Sequence, residues 1–209
     1  MRTLLVFVFG ILSSTLLRSQ VGLGVIQVDV QTTFQIDLFA KLSDTIPAKQ
    51  LNFGFDEESY TMDLANRDSV DTWFHPEAYF PDYDIFLLRC MDTLSGRYLI
   101  EVDSGTHAQY WIPAAATYTF RSWKDFLENV LTIERSNPQP IYTVPDEKAS
   151  TLKYDGQDCF SVKQVQGAWM EITTFGPCLE NEWTDSTLAS GWIKWHDGHT
   201  LLINYYLIY

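Results

Sequence analysis

The sequence predicts an all-β chain with one short helix, organised as two similar small β domains. Three observations predict it. Short strand-like runs are punctuated by glycine turns, one segment alone has helical periodicity, and the strand pattern occurs twice. Of 209 residues, 46% are hydrophobic and 15% aromatic, enough to fill packed cores, which excludes wholesale disorder.

The first 19 residues read as an export signal. Arg2 supplies positive charge, residues 4–17 (LLVFVFGILSSTLL) form an apolar stretch, and Ser19 is a small residue at the expected cut. That stretch is too short and too interrupted to span a bilayer of about 30 Å comfortably. The competing reading is a first hydrophobic strand or helix of the fold. Export implies a periplasmic or extracellular protein with no membrane span in the mature chain.

Residues 21–39 alternate apolar and polar side chains, as a half-buried strand does. Runs 84–92 (DIFLLRCMD) and 97–102 (RYLIEV) flank Ser95-Gly96 as a hairpin. Ser122 is a good N-cap, with Asp125 three residues beyond it. Trp123, Phe126, Leu127, Val130 and Leu131 fall on one helical face. Asn137-Pro138-Gln139-Pro140 then breaks the chain. Runs 158–165 and 169–173 repeat the hairpin layout around Gly167, and runs 191–195 and 200–206 flank His196-Asp197-Gly198 as another. Residues 201–209 are nearly all apolar and suit a strand covered on both faces.

The repeat is visible in particular residues. Asp84-Ile85-Phe86 and Gly96-Arg97-Tyr98 match Asp158-Cys159-Phe160 and Gly167-Ala168-Trp169, with an offset of 74 at the aspartate. Tyr110-Trp111-Ile112 matches Gly191-Trp192-Ile193, and 38–44 matches 141–146. Two copies suggest two domains and not a solenoid. The expected division is 20–121 with an insertion at 56–82, a helix and linker at 122–137, and a second domain at 138–209. The insertion (WFHPEAYFPDY at its centre) has no assignable regular structure and could pack between the domains.

Residues 138–209 resemble a bacterial SH3-type domain. The resemblance rests on Ile141-Tyr142-Thr143-Val144-Pro145, on Gly167 and Trp169 between two strands, and on the closing Gly191-Trp192-Ile193. Residues 36–113 resemble it more weakly, with Tyr98 for the tryptophan and Tyr110 for the glycine. The ending SGWIKW followed by an LLI strand is similar to exported proteins of Bacteroidetes-type bacteria. The resemblance implies two SH3-like β-barrels in tandem and no established activity.

The formal charge of −13 disfavours nucleic acid and anionic membranes as partners. No GxSxG, GxxxxGK[ST], HExxH or CxxC motif occurs, so no cofactor or metal is expected. His196 and His199 sit on a turn without an evident third ligand. By analogy with the resembled domain, Tyr142, Trp169 and Trp192 could line a peptide groove, with Asp155 and Glu171 reading cationic groups. The alternative is that these rings simply fill a small core. Cys159 and Cys178 are close enough in sequence for a disulfide, or both are buried free thiols.

The function expected is therefore a non-enzymatic exported binding module for a peptide, peptidoglycan or an envelope protein. Two alternatives stand beside it: a small envelope hydrolase using Cys90 or paired carboxylates, and a structural subunit of an envelope assembly.

Overall fold

The computed structural model describes residues 21–33, 35–57, 61–65, 67–176 and 187–208. Strand β1 (Gly24–Val28) turns into a three-stranded antiparallel sheet of β2 (Gln35–Leu38), β3 (Lys49–Asp56) and β4 (Thr61–Leu64). A one-turn helix α1 (Arg67–Val70), β5 (Ala78–Phe80) and a 3-10 turn at Pro81–Tyr83 follow. Next come β6 (Ile85–Leu94), β7 (Arg97–Asp103), β8 (Ala108–Pro113) and β9 (Tyr118–Ser122). Helix α2 (Trp123–Leu127) leads to β10 (Thr132–Arg135), β11 (Ile141–Tyr142) and β12 (Thr151–Leu152). The described strands end with β13 (Phe160–Gln166), β14 (Trp169–Thr174), β15 (Gly191–Lys194) and β16 (Ile203–Tyr206). The fold is all-β, as predicted. The insertion is more regular than expected, because β4, α1 and β5 fall inside it.

One strand order is built twice. The first sheet runs β8-β7-β6-β1-β9, and the second contains β15-β14-β13-β10-β16, with β11 and β12 added beyond β15. In each, three successive strands meander outward from one side of the first strand, and a last strand returns to its other side. Phe39 bridges Trp111 in the first half as Tyr142 pairs with Trp192 in the second.

One detail of the sequence match shifts by a residue. Ser95 and Gly96 both have positive φ (51° and 72°) between Leu94 and Arg97, whereas Gly167 (58°) is the first of two turn residues between Gln166 and Trp169. The glycine therefore occupies different turn positions, and Arg97, not Tyr98, stands where Trp169 stands.

Side-chain alternation splits β1 and β6 between two cores. Ile26, Val28, Phe86 and Leu88 face a first core with Leu51, Phe74 and Ile100. Val25 and Leu87 point the other way, into a second core with Trp123, Phe126, Leu127, Phe160, Met170 and Ile193. Strand β1 is thus buried on both sides and not half-buried, because α2 and the second half cover its outer face. The Trp123 indole donates to Val21 O at 2.9 Å across this seam.

Ser122 caps α2 as predicted, its hydroxyl accepting from the Asp125 amide at 3.1 Å. The helix stops at Leu127, however, short of Val130 and Leu131. The Leu131 amide donates to Tyr206 O at 2.9 Å, so sheet pairing takes this stretch from the helix its periodicity suggested. The expected hairpin of the last two strands also differs. Leu202 N–H returns to Trp195 O at 2.8 Å around the turn, but β15 then pairs with β11 and β14 while β16 pairs with β10. Finally, β16 is covered on one face only: Ile203 is buried while Asn204 and Tyr206 are exposed.

Candidate functional site

Strand alternation decides which side chains of the second sheet can meet a ligand. Met170, Ile172 and Ile193 enter the core. Trp169, Glu171, Trp192 and Lys194 consequently lie on the outer face. Register then aligns Tyr142, Trp192, Glu171 and Gln164 in one row across β11, β15, β14 and β13. Trp169 and Lys194 form the neighbouring pair.

Within this face the Tyr142 ring meets Trp169 edge-on, with centroids 5.3 Å apart and planes at 89°. Both rings are half-buried. Trp192 is only 9% exposed and belongs to neither core, so it forms the floor of the aromatic row. The Lys194 ammonium lies 5.5 Å from the Trp169 ring centroid and pairs with Glu147. Glu171 accepts from the Ser190 hydroxyl and from the Gln164 amide at 2.7 Å. These bonds, the one from Ser190 foremost, hold its carboxyl below the usual glutamate range. The arrangement offers an aromatic ledge beside a fixed negative charge. Such a surface suits an extended chain with flat or methylene-rich side chains and a cationic group.

The sequence named Tyr142, Trp169, Trp192 and Glu171, and the register brings these four together. Asp155 is exposed past the end of β12 and lies outside this row. Lys194, Glu147, Gln164 and Ser190 escaped the sequence reading. Their types are ordinary on a solvated face, and only cross-strand register shows that they border the rings. In the first half the equivalent ledge is covered by the chain itself. The Arg97 guanidinium sits 4.5 Å from the Phe39 ring centroid and donates to Asp44 O at 3.2 Å.

No protein-family model matches the chain, and neither the curated proteins nor the solved structures give a match.

The other candidates fall elsewhere. Cys90 is fully buried in β6, and burial pushes its thiol up to about 12, so it holds no thiolate near neutral pH. Cys159 is disulfide-bonded, while Cys178, the partner expected for it, lies outside the described residues. His196 accepts the Gly198 N–H on Nδ1 at 2.9 Å, and burial lowers its pKa.

A buried ionic cluster was not foreseen. The Arg89 Nε donates to Glu77 Oε2 at 2.6 Å and its Nη1 lies 3.7 Å from Glu101 Oε1. Tyr205 donates its hydroxyl to the other Glu77 oxygen. The insertion is thereby tied to β16 of the second half. The signal was available: Arg89 and Glu101 are lone charges inside otherwise apolar strand runs.

Proposed function

We propose that this chain is a non-enzymatic exported binding module of two SH3-like barrels in tandem. It recognises a peptide, a cell-wall peptide or an envelope protein along the outer face of the second sheet. Tyr142 and Trp169 supply the contact surface, Trp192 supports them, and Glu171 attracts the ligand's cationic groups. The observation that carries the reading is the side-by-side placement of Tyr142 and Trp169 on a face the core does not use. The repeated strand order supports the two-barrel description. The buried, protonated Cys90 thiol speaks against a thiol hydrolase.

The test is a titration with peptidoglycan fragments and with basic, proline-rich peptides, followed by tryptophan fluorescence. At least one ligand class should bind, and Trp169→Ala should weaken it by about tenfold or more, the scale of an aromatic anchor. Equal binding by the wild type and Trp169→Ala would place the contact elsewhere. No response to any ligand would remove the proposal.

A further inference from the structure

The apolar run that closes the sequence has one face left over. β16 borders a groove of about 340 Å³ whose opposite wall is Ala78 and Phe80 of β5. On the β10 side, the carbonyls of Leu202 and Tyr206 accept from Ser136 and Leu131. Antiparallel pairing alternates, so the N–H and C=O of Ile203 and Tyr205 point the other way, toward the groove. β16 ends its sheet, and among the described residues no strand pairs with that edge. Phe80 and Tyr206, both lining the groove, are 43% and 41% exposed. An apolar edge with unpaired backbone groups is a template for another strand.

Charge selects the occupant. Beyond Phe80 a second depression is lined by Asp63, Arg67, Asp82 and Tyr83; Arg67 pairs with Asp63 at 3.5 Å, which leaves the negative charge of Asp82 unmatched there. Asp82 is exposed and, among the described residues, unpaired. A second copy of so acidic a chain would bring like charges together, whereas a basic group beside Asp82 is attracted.

We propose that an extended peptide adds to the β16 edge as an extra strand. Its apolar side chains pack on Ala78 and Phe80, and a lysine or arginine lies beyond Phe80 beside Asp82. Backbone pairing supplies affinity, and the alternate pockets supply selectivity. This site is separate from the Tyr142–Trp169 ledge, because β16 and β11 lie on opposite sides of the meander.

The test uses the full chain and a short fluorescein-labelled peptide of alternating valine and threonine with lysines at one end. Saturable anisotropy is expected, together with slowed hydrogen exchange at the Ile203 and Tyr205 amides. A glutamate-ended peptide should bind several-fold more weakly. N-methylation of alternate peptide amides should abolish binding. Phe80→Ser and Asp82→Asn should each weaken it, while Trp169→Ala leaves it unchanged, which separates this site from the ledge. Unchanged exchange at Ile203 and Tyr205 would overturn the proposal. So would sedimentation as a dimer with those amides already protected, since a second copy would then hold the edge.

Discussion

Replacing Arg89 by methionine perturbs the junction of the two halves most selectively. The Arg89 side chain is 17% exposed, and its two carboxylate neighbours, Glu77 and Glu101, are 9% and 3% exposed. At a separation of ~4 Å, each attraction is worth about 4 kcal/mol for an effective dielectric of 20, before desolvation is subtracted. Removing one partner of a buried pair costs about 3–5 kcal/mol, because a charge is left uncompensated. Arg89→Met takes the guanidinium from both carboxylates, while Glu101 keeps the His107 ring at 3.1 Å and Glu77 keeps the Tyr205 hydroxyl, so a loss within that range is expected, about 3–5 kcal/mol. Glu77→Gln keeps the shape, retains an oxygen for the Arg89 bond with its amide NH2 turned to the Tyr205 hydroxyl oxygen, and leaves Glu101 to balance Arg89. It should cost less, about 1–2 kcal/mol. Urea unfolding followed by tryptophan fluorescence measures both losses, provided the slope is unchanged. A loss under about 1 kcal/mol for Arg89→Met would refute the reasoning. A larger loss for Glu77→Gln than for Arg89→Met would refute it as well.

Further expectations concern individual sites. A Cβ on Gly191 would lie 2.3 Å from Ile141 Cγ2, so Gly191→Ala should destabilise the second sheet by about 1–3 kcal/mol in the same urea assay. Glu128 is held below its ordinary value of 4.5, first by the Lys124 ammonium and then by the Val165 amide. Its contribution to stability is therefore full above that pH and is lost as pH falls through the depressed value, so Glu128→Gln should flatten the urea midpoint's decline in acid. Cys90, with its thiol near 12, should resist a thiol reagent at pH 8 until the protein is unfolded. Reaction in the native state would mean that β6 opens. Peptide mapping without reduction should link Cys159 to Cys178, and a different partner for Cys159 would contradict that pairing.

The all-β class and the repeat were legible because they rest on short-range patterns. The β-rich runs 84–92 and 97–102 mark β6 and β7, and the Ser95-Gly96 turn between them marks their hairpin. Ser122 and Asp125 marked the start of α2. Its end was hidden, because Val130 and Leu131 keep helical spacing while the strand partner that recruits them, β16, lies far along the chain. The two-sided burial of β1 was hidden for the same reason: Val25 and Ile26 face cores supplied by different halves. At the candidate site, the aromatic residues stood out by type. Lys194 and Gln164 did not, because only the register between strands puts them beside the rings.

The most direct measurement is a two-dimensional NMR titration of the indole N–H signals with a basic, proline-rich peptide and with peptidoglycan fragments. Trp169 and Trp192 indole signals should move together and saturably, while those of Trp123 and Trp195, whose N–H groups are bonded to Val21 O and Gly167 O, should stay in place. Still signals at Trp169 and Trp192 with every ligand, or movement confined to the other tryptophans, would contradict binding at the outer face of the second sheet.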